Sequence, residues 1–415
     1  MSLFLPHRRL LALGRRVRIA GSSLAYALGD SRTAQNIIVD DFGNTGNGAS
    51  WARQLTNGRL RLPFANINGG SGETLATIRS TRFPSALAST ANVLILLGGV
   101  NRGASQAQDI ADITYMAQTW AASAPDRVTW VFDELCPDGT QAGAIAAAWD
   151  VPSNMARHVA LRDAIRALSA PSRGIYVVPS WRSSTGGNDG TTADPLFYKP
   201  SDGLHCSPYG AFKLGKLLAD TMMATIPPFD PYAAKTFSAD QTLNGGNFTG
   251  PGTIAAAGLA ISGTGHTAGT VSDLDGDGVL WASFTLAGTA DATISRSTAT
   301  LPSGVTPGAT TVQGILKYRV SAGLTNIRGL SFDLIKQSGT GFSVVDGVNN
   351  GSAYEFGDIP FDATTHGTLL TEPVLVPADA TQVRWRVIVQ PERIGGVSQS
   401  MAGTISLAYG GLIVS

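Results

Sequence analysis

The sequence predicts two domains, an α/β domain built on a parallel sheet and an antiparallel β-sandwich. The chain has 415 residues, more than one compact domain usually holds. Residues 17–230 alternate buried-strand and helix patterns, which is typical of a layered α/β domain. Residues 236–415 show no helical periodicity. They contain short runs in which apolar and polar residues alternate, separated by groups of turn-forming residues. That second pattern indicates a sandwich of the jelly-roll type.

The composition is that of a globular chain, with 43% hydrophobic and 14% charged residues and a net charge of zero. No basic patch with interleaved aromatic residues occurs, so we expect no nucleic-acid partner. The two cysteines, Cys136 and Cys206, do not make a disulfide framework. Both are expected near the active edge of the sheet, where one bridge is possible and free thiols are the favoured interpretation.

The N-terminus resembles a signal peptide, because an Arg-rich stretch at 8–18 precedes an apolar run at 19–28. Cleavage there would remove the segment that leads into Gly29-Asp30-Ser31. We therefore interpret residues 17–28 as a buried strand and expect no cleavable signal. The apolar run is too short for a transmembrane segment. The compartment stays open, with an extracellular or phage-particle location as alternatives.

The α/β domain is predicted to contain five strands and five helices. The strands are predicted at 23–29, 62–68, 92–98, 127–133 and 174–179. The helices are predicted near 49–56, 72–82, 106–123, 154–168 and 208–226. Long loops are predicted at 136–150 and 181–201, and loops of that length often belong to a binding site.

A Pro-rich stretch, Pro227-Pro228-Phe229-Asp230-Pro231, stops the last helix and marks a linker. It separates the predicted domains 1–230 and 236–415. The principal strands of the second domain are predicted at 279–286, 311–320, 328–335, 382–390 and 403–414.

Asp202-Gly203-Leu204-His205 is a candidate acid–base pair. Ser207 is a good helix N-cap and Pro208 suits the first helical position, so a helix start fixes the backbone just after His205. A hydrolase needs such a histidine to take up a proton while a carboxylate holds its tautomer. Taken alone, the motif fits a surface loop with an incidental histidine equally well.

Three further segments complete the chemistry of ester hydrolysis. Gly29-Asp30-Ser31 ends the first strand and exposes a hydroxyl, and Gly72 follows the second strand with a backbone N–H. Asn101, after the third strand, offers a side-chain amide. Each is an ordinary turn residue by itself. All of them follow the carboxyl end of a predicted parallel strand, where open α/β sheets bind ligands, which favours a single site.

These four blocks resemble the SGNH (GDSL-type) hydrolases over about residues 17–226. The resemblance implies a flavodoxin-like three-layer αβα sandwich with a parallel five-stranded sheet, and ester hydrolysis through an acyl-enzyme without metal or cofactor. It implies that Ser31 is the nucleophile, that His205 is the general base and acid, and that Asp202 orients it. The oxyanion hole would comprise the Ser31 and Gly72 N–H groups and the Asn101 side chain.

The sequence departs from the family pattern in two places. The family usually has a Gly a few residues after the Ser, whereas Arg32-Thr33-Ala34-Gln35 follows here, and it often has an Asp where Arg102 follows Asn101. These arginines either bind an acidic substrate or solvate the rim. Trp181 and Arg182 begin the predicted loop at 181–201. They either line a sugar-binding cleft or, in the case of Trp181, pack on the core.

The remaining motifs favour structural roles. Residues 273–278 have the D-x-D-x-D-G opening of a calcium loop, but Phe284 stands where that loop needs Glu, so a hairpin turn is the better interpretation. His266 and His366 lack partner ligands, so no metal site is expected, and His158 is expected at the surface. Four aromatic residues of the second domain form either a core or a carbohydrate platform, with alternation favouring the core for most: Trp281, Tyr318, Trp385 and Tyr409.

The combined prediction is a serine esterase that removes short acyl groups, most plausibly O-acetyl, from a carbohydrate. The appended sandwich would serve binding or attachment. A lipid or lysophospholipid esterase of the same family is one alternative, although the polar loop at 183–194 argues against an acyl-chain pocket. The other alternative is a structural or adhesion protein, such as part of a phage tail, with an auxiliary esterase domain. In that protein the sandwich would bind a surface or assemble into a homo-oligomer.

Overall fold

The computed structural model describes most of the chain. The described residues are 23–34, 48–138, 152–199, 203–227, 252–253, 258–296, 301–321, 323–338, 341–348, 359–361 and 365–414. The predicted linker at 227–231 falls almost wholly outside them, as does Asp202. None of the helices in these ranges is long and apolar enough to cross a membrane.

The first half of the chain forms a parallel sheet. Its strands are β1 (Ser23–Asp30), β2 (Leu60–Arg61), β3 (Ile67–Gly70), β4 (Val93–Leu97), β5 (Val128–Phe132) and β6 (Ile175–Val178). The spatial order is β2-β1-β4-β5-β6, and β3 continues beside β1 on the β2 side. This is the flavodoxin-like order of a doubly wound sheet, as predicted. The predicted strand at 62–68 is wrong over residues 62–66. Strand β2 ends at Arg61, Pro63 has no N–H to donate to a neighbouring strand, and a short 3₁₀ turn, Phe64–Asn66, precedes β3.

Helices cover both faces of this sheet. They are α1 (Ser31–Ala34), α2 (Gly48–Leu55), α3 (Leu75–Thr77), a π-helical turn (Ile78–Arg82), α4 (Phe83–Ala88), α5 (Gln106–Ser123), α6 (Pro152–Ala167), α7 (Ser180–Ser184) and α8 (Pro208–Met223). The side chain of Ser105 caps α5, and that of Ser207 caps α8 by accepting from the Gly210 N–H at 3.1 Å. The five predicted helices are present. The short helices α1, α4 and α7 were not predicted.

Strand β1 shows how the three layers form. Ala25 and Ala27 point into the core beneath α2 and α8, whereas the alternate residues Tyr26 and Leu28 point into a separate core beneath α3 to α6. Successive side chains of a strand face opposite sides, so a strand that is buried on both faces reads as a continuous apolar run. The αβα arrangement is therefore confirmed.

The second half of the chain forms two antiparallel sheets. The strands are β7 (Gly252–Thr253), β8 (Leu259–Ser262), β9 (Thr267–Asp273), β10 (Leu280–Leu286), β11 (Ala292–Arg296), β12 (Thr311–Val320), β13 (Ile327–Ser338), β14 (Gly341–Val348), β15 (His366–Leu370), β16 (Val374–Leu375), β17 (Gln382–Pro391), β18 (Arg393–Ile394), β19 (Val397–Ser398) and β20 (Gly403–Val414). One sheet contains the order β15-β12-β20-β10, and the other contains β14-β13-β17-β11. These two four-strand orders are those of a jelly roll, which confirms that prediction. Further short strands extend the sheets to seven and five strands.

The aromatic residues of the sandwich are not an open platform. Tyr318 and Trp385 lie in the core between the sheets. Trp281 faces the other side of its sheet but is only 3% exposed, because Arg319 covers its ring with the guanidinium carbon 4.5 Å from the centroid. Of the four candidates, Tyr409 alone is partly exposed, at a positive φ of 49°. The core interpretation is correct for Tyr318 and Trp385.

The candidate calcium loop is a hairpin turn between β9 and β10, as predicted. Both carboxylate oxygens of Asp273 accept backbone N–H groups of the turn, from Gly276 at 2.7 Å and from Gly278 at 2.8 Å. These hydrogen bonds lower the pKa of Asp273. Within the described ranges, no group of three or more His, Cys, Asp or Glu side chains is arranged to hold a metal ion.

Helix α2 links the two halves of the molecule. The Arg53 guanidinium donates to the Leu370 carbonyl at the end of β15, at 2.5 Å. Beside it, the ring of Phe361 lies 6.0 Å from the ring of Trp51 and 5.3 Å from that of Phe212, centroid to centroid. Phe212 belongs to α8, so the sandwich packs directly on a helix of the α/β layer.

Candidate active site

Ser31 and His205 meet at the carboxyl edge of the parallel sheet. Ser31 follows the last residue of β1 and begins α1, and His205 lies three residues before α8. The Ser31 Oγ is 2.9 Å from the His205 Nε2. Ser31 is 7% exposed and His205 is half-buried. The structure therefore brings together the hydroxyl and the imidazole that the sequence predicted as partners.

The turn at Ser31 requires close approach of backbone segments. A Cβ at Gly29 would lie 1.9 Å from the Leu97 carbonyl oxygen of β4, and a Cβ at Gly69 would lie 2.2 Å from the backbone nitrogen of Ala34. Only glycine fits at either position. These two residues allow α1 to start directly against the neighbouring strands, which fixes the position of the Ser31 hydroxyl.

The segment before α8 holds His205. The Lys199 N–H donates to the His205 carbonyl at 2.9 Å, and the Ser207 N–H donates to the Phe197 carbonyl at 2.9 Å. The Ser207 hydroxyl caps the helix two residues after His205. Two antiparallel segments and a helix cap therefore constrain the backbone of His205. Asp202 lies outside the described residues, and its role in orienting the imidazole stays a prediction.

The two predicted oxyanion donors beyond Ser31 follow neighbouring strands. Gly72 lies in the turn after β3 with a positive φ of 73°, and its N–H donates to no group among the described residues. Asn101 follows β4, and its Nδ2 donates to the Glu73 carbonyl at 3.0 Å. An amide NH₂ has a second proton, so Asn101 keeps one donor for a substrate. The structure thus brings the Gly72 turn and Asn101 into direct contact.

The prediction that Arg32 binds substrate or solvates the rim is wrong. Its side chain is 1% exposed and forms ion pairs with two buried carboxylates, Asp30 at 2.8 Å and Glu134 at 2.7 Å. Burial disfavours the guanidinium charge, but the attraction of Asp30 and Glu134 outweighs it and raises the pKa of Arg32. Arg32 therefore acts inside the fold, directly behind the turn that carries Ser31.

Glu134 was not predicted as part of this site. It follows β5 with a positive φ of 78° and is fully buried. Burial raises the pKa of Glu134, and the Arg32 guanidinium offsets only part of that effect. The sequence signal available was an acidic residue directly after a buried strand, with nothing to join it to an arginine 102 positions away.

His158 lies beside this cluster, contrary to the expectation of a surface position. It is 2% exposed, and its Nδ1 is 4.0 Å from the Glu134 Oε1. Burial, with the nearby charge of Arg32, lowers the pKa of His158 to about 3. The imidazole is therefore neutral at physiological pH.

Three other residues were predicted to bind substrate, and they differ in how far the fold buries them. Trp181 is fully buried in the core and donates from Nε1 to the Gly190 carbonyl, so it does not line a cleft. Arg182 is exposed and pairs with Asp189 at 2.6 Å. Arg102 is exposed beside Asn101, so a role in substrate binding stays a prediction there.

The two cysteines do not form a disulfide. Cys136 is buried behind the site, where its N–H donates to the Ser184 hydroxyl at 2.9 Å. Burial raises the pKa of its thiol to about 12, which makes it unreactive at neutral pH. Cys206 is half-buried next to His205.

No family model matches this chain, and no curated protein matches it. Over about half of its length, the chain is similar to solved lipase and esterase structures. A lipase/acylhydrolase from Enterococcus faecalis is 16% identical with a TM-score of 0.38, covering 50% of this chain and 98% of that one. An acetylxylan esterase from Geobacillus stearothermophilus is 13% identical with a TM-score of 0.37, covering 49% and 95%. A family 3 carbohydrate esterase from Talaromyces cellulolyticus is 16% identical with a TM-score of 0.36, covering 49% and 97%.

Proposed function

We propose that this chain is a serine ester hydrolase in which Ser31 is the nucleophile and His205 the general base and acid. The observation that carries the proposal is the 2.9 Å separation between the Ser31 Oγ and the His205 Nε2 at the carboxyl edge of a parallel sheet. A serine becomes a nucleophile when a base within hydrogen-bond reach accepts its proton. Asp202 would hold the opposite side of the imidazole.

In the acylation step, the Ser31 Oγ attacks the ester carbonyl carbon while its proton passes to the His205 Nε2. The carbonyl oxygen becomes an oxyanion. The imidazolium then gives the proton to the leaving alcohol oxygen as the carbon–oxygen bond breaks, which leaves the acyl group on Ser31. Deacylation repeats these steps with water as the nucleophile, and His205 takes the water proton and returns it to Ser31.

The oxyanion would be bound by the Ser31 N–H, the Gly72 N–H and the second proton of the Asn101 amide. Ser31 is the first residue of α1, so its N–H has no partner within the helix. Donors fixed before the reaction starts stabilise the charge without reorganisation, which makes this the largest single contribution expected in such a site.

For the substrate, we propose a short acyl ester, specifically an O-acetyl group on a carbohydrate. Residues 186–192, in the loop that follows α7 at the same edge of the sheet, are polar and exposed. A long acyl chain needs apolar walls, which this loop does not supply. The jelly roll supports a carbohydrate partner, because that fold recurs in lectin domains.

The experiment that tests this proposal compares p-nitrophenyl acetate with p-nitrophenyl palmitate, for the wild-type protein and Ser31→Ala. Hydrolysis of the acetate but not the palmitate, lost in Ser31→Ala, is the expected result. Preferential hydrolysis of the palmitate would favour a lipid esterase instead. Mass-spectrometric detection of acetate released from a panel of acetylated polysaccharides then tests the carbohydrate part, and no release from any of them would contradict it.

A further inference from the structure

Arg82 ends an unusual helical segment. The helix that follows the Gly72 turn changes at Ile78 from α to π hydrogen bonding and returns to α at Phe83. Such π turns are rare and occur frequently at functional sites, because they redirect the side chains that they carry. This π turn ends at Arg82, whose guanidinium binds the side chain of Glu73, nine residues earlier in the chain.

The guanidinium of Arg82 binds two side chains near the Gly72 turn. Its Nε and Nη2 donate to the two carboxylate oxygens of Glu73 at 2.5 Å and 2.6 Å. Its Nη1 donates to the Asn68 Oδ1 at 2.5 Å, and Asn68 in turn donates to the Tyr26 hydroxyl of β1 at 2.8 Å. The carboxylate of Glu73 is thus held bidentately, and the same guanidinium joins it through Asn68 to strand β1.

Gly70 provides the space for this arrangement. A Cβ at Gly70 would lie 2.1 Å from the Glu73 Cδ, so the carboxylate folds directly over the backbone at the end of β3. The Glu73 carbonyl, at the other end of the same residue, accepts from the Asn101 amide at 3.0 Å. Glu73 therefore joins both proposed oxyanion donors, since it follows Gly72 in the chain and orients Asn101 through its carbonyl.

We propose that Arg82 is a positioning residue for the oxyanion hole, acting through Glu73 on Gly72 and Asn101. The inference rests on the proposed function. An oxyanion hole works only when its donors are fixed before the charge develops, so a loop held at two points stabilises the transition state more than the bound substrate. Loss of Arg82 should lower kcat and leave KM nearly unchanged.

Arg79 provides a matched control on the same π turn. It also forms an ion pair, with Asp112 at 2.7 Å, and it lies over the Tyr115 ring. Its side chain is 39% exposed against 28% for Arg82. Neither of these partners belongs to the Gly72 turn. Arg79→Gln therefore removes an arginine charge and an ion pair from the same segment, in this case a pair with the buried carboxylate of Asp112, without changing a partner of the proposed oxyanion donors.

The experiment measures p-nitrophenyl acetate hydrolysis and inhibition by phenylboronic acid, which forms a tetrahedral adduct with a catalytic serine. For Arg82→Gln we expect kcat to fall about 10-fold, KM to stay within about 2-fold, and the inhibition constant to rise in proportion to the loss in kcat. For Arg79→Gln all three should stay within about 2-fold of wild type. Arg82→Lys should recover only part of the loss, because lysine cannot bind the carboxylate bidentately.

Asn101→Ala separates a positioning role from a general structural one. In the Asn101→Ala background, adding Arg82→Gln should cost less than it does alone, since part of its effect acts through Asn101. Full additivity, or a loss in Arg82→Gln no larger than in Arg79→Gln with both variants folded by near-ultraviolet circular dichroism, would overturn the role of Arg82. Absence of Ser31-dependent hydrolysis in the unsubstituted protein would instead overturn the proposed function, and this inference with it.

Discussion

The Ser31 hydroxyl oxygen lies 2.9 Å from the Nε2 of His205, although 174 positions separate the two residues in the chain. Ser31 is held by the end of β1, and His205 is held by the segment that leads into α8. Their contact therefore depends on the assembled sheet and helix layer, not on local sequence. A change in the packing of β1 or of α8 should therefore alter the distance between Ser31 and His205, and with it the proposed proton transfer between them.

Substitution of Asn101 tests its proposed role as an oxyanion donor directly. In Asn101→Ala we expect kcat to fall by about 10²–10³, the usual effect of losing one such donor, while KM changes little. Steady-state kinetics with p-nitrophenyl acetate measure this. Arg102→Ala, which removes the exposed neighbour, serves as the comparison. A smaller fall in kcat for Asn101→Ala than for Arg102→Ala would contradict the proposed role of Asn101 as an oxyanion donor.

Removal of Arg32 should destabilise the fold strongly. In Arg32→Met the carboxylates of Asp30 and Glu134 stay buried without their counter-charge, and breaking a buried pair in this way costs about 3–5 kcal/mol. Glu134→Gln should cost less, since an amide oxygen still accepts from Arg32. Urea denaturation at pH 7 measures both. Equal stabilities of wild type and Arg32→Met would contradict this account of the cluster.

His158 should make stability depend on pH. Its pKa is about 3 in the folded protein against an ordinary value of 6.5, so below pH 6.5 the unfolded chain binds a proton that the folded protein does not. The free energy of unfolding should therefore fall as pH is lowered from about 6.5 towards 3. Between pH 7 and pH 4, the free energy of unfolding of the wild-type protein should fall by up to about 3 kcal/mol more than that of His158→Gln.

Denaturant titrations at these two pH values measure that difference. Glu134 is unchanged in both proteins, so the opposite contribution expected from its raised pKa largely cancels in the comparison. Identical pH dependence of wild type and His158→Gln would show that burial of this histidine does not govern acid stability.

Phe361 should matter for stability because it packs between the two halves of the molecule. Its ring contacts those of Trp51 and Phe212, and the side chain is 8% exposed. Phe361→Ala should lower the free energy of unfolding by about 3 kcal/mol, whereas Leu375→Ala, at a residue 55% exposed in the same sandwich, should stay within about 0.5 kcal/mol. A loss at Phe361 no larger than at Leu375 would contradict a packed interface.

The sequence predicted helices and strands correctly where apolar residues recur at a regular spacing. The predicted helix at 106–123 and the predicted strands at 311–320 and 403–414 match α5, β12 and β20 to the residue. It missed β9, where Val271 is the one buried residue and the remaining positions are exposed or half-buried Gly, Thr, Ser, Ala and Asp. A strand that contributes so little to the core has no alternation to read.

The positions of the proposed site residues could be predicted where these residues follow strand ends. Ser31, Gly72, Asn101 and His205 could be placed at one edge because parallel strands end on the same side. The burial of Arg32 could not be predicted, because a charged residue next to Ser31 gives no sign of burial unless its partners are known. Glu134 is 102 positions away in the chain, and the structure alone joins the two residues.

The most direct test of the central claim is covalent labelling of Ser31 by a fluorophosphonate, with the modified residue identified by peptide mass spectrometry. We expect the label on Ser31 in the wild-type protein and almost none in His205→Ala, because the hydroxyl needs the imidazole as its base. Labelling at another residue, or labelling of Ser31 at an equal rate in His205→Ala, would contradict the account.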